Sequence, residues 1–361
     1  MKKKIKLFDP CIDKKEEKEV ISVLKSGFWT SGSGTGKVVE FEKKFKKYVG
    51  AKSCICVNSG TAALHLALSL FNIKDKEVIL PSLSFVSTAH SIMYNGGKPV
   101  FVDVDPKTLC LDPEKIQNAI TKNTKVILPV HFGGMPCELN KISKLGFQKN
   151  IKIVEDAAHA AGASYNNKKI GSFGNVVCFS FHPVKNLGMP TGGAITLNDT
   201  NSKKYEKILK ALRWCGISNR VGTKYDVTHL GWNYYMNEFS AAIGIEQLKK
   251  LKKMNLKRMK IAKTYSEEIE LESMPFDKNC SYHLYWILVQ NREKFMKNMK
   301  NMGIETGIHY KPIHKMKFYS IKKKLPVTDD ISSKIVSIPM HPKLNDNDVD
   351  RIIKLTNKFS K

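Results

Sequence analysis

Residues 176–196 read VVCFSFHPVKNLGMPTGGAIT, and the rest of the chain can be placed around them. Val176-Val177-Cys178-Phe179 is an apolar run of strand type, Ser180, His182 and Lys185 follow it, and the turn at Gly192-Gly193 leads into a second strand-like run from Ala194 to Leu197. A lysine thus sits on a loop between two buried strands. A lysine held partly out of water has its charged form disfavoured, so its pKa falls and it becomes a usable nucleophile toward aldehydes and ketones. The stretch alone leaves two readings open: a Schiff-base lysine, or a surface-loop lysine in a lysine-rich chain.

Upstream, Ile151 to Val154 is another apolar strand, and it delivers Glu155-Asp156 and then Ala157-Ala158-His159 at its carboxyl end. Ligands of open parallel sheets bind outside the strand carboxyl ends, so an acid there is well placed to meet a cofactor, although a helix-capping aspartate is the ordinary alternative. Cys54 to Val57 is a short strand, and Asn58-Ser59-Gly60-Thr61 opens the apolar helix Ala62 to Leu70. Small and hydroxyl residues at a helix start suit a phosphate, and they equally suit a plain N-cap. His65, inside that helix, reads as a packed core residue.

Strand and helix then alternate. Val78–Leu80, Val100–Val104 and Val126–Val130 read as strands, with helices at Ser87–Tyr94 and Pro113–Ile120. This spacing predicts an α/β fold: a large domain with a mainly parallel central sheet flanked by helices, over residues 1–250. Before it, Asp13 to Ser26 reads as a capped amphipathic helix with Val20, Ile21 and Leu24 on one face, and Phe28 to Gly36 as a glycine-rich loop that faces the substrate. A long helix from Glu238 to about Glu270 follows, and the mixed strands and helices beyond it suggest a smaller C-terminal α+β domain over residues 251–361.

The length of 361 residues and a 42% hydrophobic content support an ordinary folded core. Sixty Lys+Arg against 33 Asp+Glu give a net charge of +27, which raises a nucleic-acid or anionic-membrane partner. Arginine, however, occurs only at Arg213, Arg220, Arg258, Arg292 and Arg351, and the lysines are spread over solvated helix faces with no basic arm. The expectation is no nucleic-acid and no membrane partner, with an anionic substrate using part of the charge. No apolar run suits a signal peptide or a membrane span, which predicts a cytoplasmic protein. The eight cysteines lie mostly in strand-like runs without a C-x-x-C pair, so free thiols are expected and no metal.

Asp156 at a strand end, the loop Ser180-x-His182-x-x-Lys185 and the helix start Ser59-Gly60-Thr61 together resemble the pyridoxal-phosphate-dependent sugar aminotransferases of the DegT/StrS family, which have the type I aspartate aminotransferase fold. The resemblance covers nearly the whole chain and includes NSGTAALHLAL at 58–68, PVHFGG at 129–134, VEDAAHAAGA at 154–163, FSFHPVKN at 179–186 and GIHYKPIH at 307–314. It implies that Lys185 bonds covalently to pyridoxal phosphate and shuttles the proton, and that Asp156 pairs with the pyridine nitrogen. It further implies His159 beside the ring hydroxyl, Phe85 on the ring face, and Gly60, Thr61 and Ser180 on the phosphate. The resemblance also implies that Asn233 reaches the phosphate from the neighbouring subunit, and so that the active form is a homodimer with shared sites. His309, Tyr310 and His314 are expected at the mouth, either for substrate or as ordinary packing.

The implied reaction moves an amino group from an amino acid, L-glutamate by resemblance, to the keto group of a nucleotide-linked deoxy sugar, for a surface glycan or similar product. Two rivals remain: a sugar dehydratase of the same fold, in which histidine replaces the lysine, and a non-catalytic nucleic-acid-binding or regulatory relative. Lys185 argues against the first, and Asp156 and Lys185 have no purpose in the second. The chain departs from the family pattern at Pro190-Thr191, where glycine and glutamate are usual, and at Tyr235, where the family has arginine after Asn-Tyr.

Overall fold

The strand-then-helix spacing builds one central sheet in a computed structural model that describes residues 4–360. Its strands are β1 (Ser53–Val57), β2 (Glu77–Pro81), β3 (Lys98–Val102), β4 (Thr124–Ile127), β5 (Lys152–Asp156), β6 (Val176–Ser180) and β7 (Gly193–Leu197). In space they run β1-β7-β6-β5-β4-β2-β3. The five from β3 to β6 are parallel, and β7 is antiparallel to both β6 and β1. Strands covered on both faces need continuous apolar sequence, and β1 and β7 are buried at every position.

Helices cover both faces of the sheet. In chain order they are α1 (Lys14–Ser26), α2 (Gly36–Val49), α3 (Gly60–Ser69), α4 (Ser87–Tyr94), α5 (Pro113–Ala119), α6 (Leu139–Gln148), α7 (Ser202–Leu212) and α8 (Glu238–Glu268). One core joins Phe41, Phe45, Phe179, Phe181 and Leu251; the other, across the sheet, joins Leu66, Leu80, Val154 and Ile195. Beyond α8 the chain forms α9 (Arg292–Asn301), α10 (Pro326–Lys334) and α11 (Asp346–Phe359) around a two-stranded antiparallel sheet, β8 (Tyr285–Leu288) with β9 (Ile335–Ile338). The helix α8 passes unbroken through residue 250, where the sequence suggested a division.

One expected face is corrected. In α1, Asp13 caps the helix and forms a capping box with Glu16, as the sequence indicates, but Ile21 is 50% and Leu24 54% exposed. The inward side is instead that of Val23 and Glu16. Gln247 of α8 donates to Glu16 Oε1 at 2.6 Å and Lys250 forms an ion pair with the same carboxylate, so a charged group that periodicity assigns to solvent becomes the docking point on α8.

A second buried carboxylate ties three elements together. Glu42 of α2 accepts the N–H of Cys56 in β1 at 2.8 Å, and Arg213, at the end of α7, donates to the same oxygen at 2.5 Å and to the Cys56 carbonyl at 2.7 Å. Arg213 is 1% exposed. Removing one partner of such a pair strands a charge out of water, at a cost of about 3–5 kcal/mol. Glu42→Leu is therefore expected to destabilise the fold by about that amount in urea denaturation, and adding Arg213→Met to recover most of the loss; equal stability of the single variant and wild type would show that the pair holds nothing.

Candidate active site

The carboxyl ends of β1, β5 and β6 open on one side of the sheet, and a cavity of about 320 Å³ lies there. Side-chain alternation along β5 sends its last two residues to opposite faces. Glu155 turns away, and His131 Nε2 donates to it at 3.0 Å. Asp156 lines the cavity.

Asp156 is buried, and burial raises its pKa. Two hydrogen bonds oppose that rise. Thr88 of α4 donates its hydroxyl to Oδ2 at 2.8 Å, itself bonded to Ser84 Oγ at 2.8 Å, and the Ala158 N–H donates to Oδ1 at 3.1 Å. The carboxylate is thus held with both oxygens engaged, facing the cavity.

Lys185 lies on the loop after β6, where its own N–H closes a tight turn on the His182 carbonyl at 2.8 Å. The loop is anchored by its neighbour: Asn186 Nδ2 donates to Asn255 Oδ1 of α8 at 2.9 Å and to the Ser281 carbonyl at 2.7 Å. Lys185 Nζ reaches into the cavity and stands 3.4 Å from His283 Nε2. Desolvation lowers its pKa to about 8, with the Asp156 charge acting the other way. The two departures in the loop leave the turn intact, since Phe181 N–H bonds the Gly192 carbonyl at 2.8 Å and the Thr191 hydroxyl bonds the Asn58 carbonyl.

The third wall is the start of α3. Ser59 is its N-cap and accepts the Ala62 N–H at 3.1 Å, while the first-turn N–H groups of Gly60 and Thr61 have no carbonyl within the helix to bond. A Cβ on Gly60 would lie 2.7 Å from Ser180 Cβ, and one on Gly193 2.4 Å from the Ser59 carbonyl oxygen, so only glycine lets the helix start, β6 and β7 converge. Backbone N–H groups at a helix start beside the Ser180 hydroxyl form a donor set of the kind that can hold an anion.

Aromatic rings complete the lining. His159 Nδ1 accepts the Gly133 N–H at 3.2 Å, so a neutral ring carries its proton on Nε2, 3.1 Å from the Tyr310 hydroxyl. Burial holds the His159 pKa well below its ordinary value and brings His309 down to about 4. Phe85, 56% exposed, borders the cavity with its ring 6.1 Å from that of Tyr310.

Of the residues expected from sequence, Gly60, Thr61, Phe85, Asp156, His159, Ser180, Lys185, His309 and Tyr310 all line this one cavity. His314 does not, and the expectation of a place at the mouth is corrected. It is buried with Nδ1 2.6 Å from Ser82 Oγ and Nε2 3.2 Å from Asp329, because the chain turns inward after Pro312. Asn233 is exposed and lies outside the cavity lining. His65 is a packed residue, as read, with Nδ1 3.2 Å from the Tyr234 hydroxyl.

Sequence reasoning missed Thr88, whose hydroxyl engages Asp156, and Phe8 and His283, which reach the cavity from distant parts of the chain. A histidine opening the apolar run His283 to Val289 was the one available signal. The residues present fit pyridoxal phosphate: an amine and a carboxylate lining one cavity, and a cradle that a Cβ would fill.

The model of the DegT/DnrJ/EryC1/StrS aminotransferase family matches residues 10–356. The spore coat polysaccharide biosynthesis protein SpsC of Bacillus subtilis is 34% identical, over 96% of this chain and 94% of its own length. Among solved structures, Helicobacter pylori PseC, an aminotransferase involved in the biosynthesis of pseudoaminic acid, superposes with a TM-score of 0.92 at 28% identity, covering 99% of both chains. The sugar aminotransferase CalS13 of Micromonospora echinospora does so with a TM-score of 0.90 at 29% identity, over 98% of this chain and 99% of the other. The chain belongs to the DegT/DnrJ/EryC1/StrS aminotransferase family, whose cofactor is pyridoxal phosphate.

Proposed function

We propose that this protein transfers an amino group from L-glutamate to the keto group of a nucleotide-linked deoxy sugar, making an amino sugar for a surface glycan or similar polysaccharide. The observation that carries the reading is Lys185, an amine with its pKa lowered to about 8, reaching into the same cavity as a buried, hydrogen-bonded Asp156. SpsC, a spore coat polysaccharide biosynthesis protein, and PseC, an aminotransferase of pseudoaminic acid biosynthesis, support a sugar as the acceptor. The dehydratase reading is set aside because a lysine, and not a histidine, stands at position 185.

Pyridoxal phosphate, when bound, supplies an electron-accepting ring that lets an amino acid lose its Cα proton. Gly60, Thr61 and Ser180 would hold the phosphate, Phe85 would cover the ring face, and His159 would lie beside the ring hydroxyl. Asp156 would keep the ring nitrogen protonated, a task for which its Thr88 and Ala158 hydrogen bonds favour the ionised carboxylate. Lys185 would carry the cofactor at rest and move the proton at Nζ during each half-reaction. His309 and Tyr310 line the cavity and are proposed to meet substrate. Asn233 is the residue we propose a second copy contributes, in a homodimer with shared sites. A cytoplasmic location fits the reading, and no helix among the described residues is long and apolar enough to cross a membrane.

The decisive experiment is an absorbance spectrum with added pyridoxal phosphate. Wild type is expected to turn yellow and to be bleached by L-glutamate, and Lys185→Ala to acquire no such covalent band; a wild type that binds no cofactor would sink the proposal. Gly60→Ala fills the cradle against Ser180 and should weaken cofactor binding by at least about tenfold, the equivalent of 1.4 kcal/mol, in an equilibrium titration. Unchanged affinity would remove Gly60 and Ser180 from the phosphate site.

A further inference from the structure

We propose that His283 is a positioning residue for Lys185: its Nε2–H donates to the Lys185 amine and keeps that amine neutral, with its lone pair held in one direction. The inference rests on the reading of Lys185 as the reacting amine. It starts from the 3.4 Å contact between Lys185 Nζ and His283 Nε2, and from the other ring nitrogen, Nδ1, which is buried without any hydrogen-bond partner among the described residues.

A neutral imidazole carries one N–H, and the two nitrogens of His283 are not equivalent here. If Nε2 holds the proton, it donates to a neutral lysine and Nδ1 is left as a bare acceptor. If Lys185 is an ammonium, it must donate to Nε2, and the imidazole proton is driven onto Nδ1, where it meets nothing. A buried donor without an acceptor is the more costly defect, so charging Lys185 carries an added penalty imposed through the imidazole. The tautomer of one residue and the charge of the other are coupled.

The surroundings hold the ring in place and disfavour further positive charge. His283 packs against Phe8, parallel at 5.4 Å and 13°, and against His159 at 4.4 Å and 38°, contacts that resist rotation of its ring. Burial lowers the affinity of His283 for a second proton, and a charge on Lys185, then His159, His309 and the guanidinium of Arg258, act in the same direction. Arg258 is itself buried, with Nε and Nη1 without a hydrogen-bond partner among the described residues. Asp156 is the one group among them that favours a charged Lys185, and Tyr310 is occupied by its contact with His159.

Two measurements on the cofactor-free, full-length protein test this. With 15N-labelled histidine, the ring-nitrogen shifts of His283 at neutral pH should show a protonated Nε2 and a bare Nδ1; a protonated Nδ1 overturns the proposal without any variant being made. Reductive methylation of Lys185 with formaldehyde, followed by peptide mass spectrometry across pH, should rise through about pH 8 in wild type. His283→Phe keeps the ring and its burial and should raise that midpoint by about one unit, leaving about tenfold less neutral amine at pH 7. His283→Gln, whose amide can turn its oxygen to an ammonium, should raise it as well. Profiles of both variants that superpose on wild type overturn the role of His283 alone, whereas a wild-type midpoint in the range of surface lysines overturns the reading of Lys185 itself.

Discussion

The burial of the Asp156 carboxylate is the constraint around which this site is built. An ionised carboxyl taken out of water is stable only with partners, and each partner comes from a different part of the chain. Thr88 is brought by α4 and Ala158 by the turn after β5. Helix packing, sheet order and loop geometry all have to agree before this one group can remain charged. The same convergence makes the cavity, since the strands that deliver Asp156 and Ser180 end together and the start of α3 closes over them.

Much of this was legible because its signals are local. Apolar runs fix the strands, small residues mark the helix starts, and a lysine between a buried strand and a glycine turn is conspicuous in the sequence. Contacts between distant segments were not legible. Nothing near Thr88 says that its hydroxyl turns toward β5, and nothing near His283 says that its ring will be clasped between Phe8 and His159. His314 shows the converse: it shares a motif with His309 and Tyr310, yet the chain turn after Pro312 puts it in the interior beside Ser82.

Periodicity also failed where a charged group does the docking. In α1 the apolar positions Ile21 and Leu24 stay at the surface, while Glu16 is drawn inward by Gln247 and Lys250. A count of apolar residues assigns the wrong face because it gives no weight to a carboxylate whose hydrogen bonds are supplied by another helix. The departures at Pro190 and Thr191 have the opposite lesson. The backbone bond from the Phe181 N–H to the Gly192 carbonyl keeps the loop closed, and the Thr191 hydroxyl adds a tie to Asn58, so the turn survives a change of sequence.

Asn186 has a consequence that reaches beyond the loop it anchors. Its single amide group joins the residue after Lys185 to Asn255, midway along α8, and to the Ser281 carbonyl, two residues before His283. A shift of α8, or of the segment leading into the small sheet, is therefore transmitted to the lysine through two hydrogen bonds. For anyone reshaping this protein, a substitution at Asn255 therefore bears on the Lys185 loop although Asn255 lies outside the cavity lining.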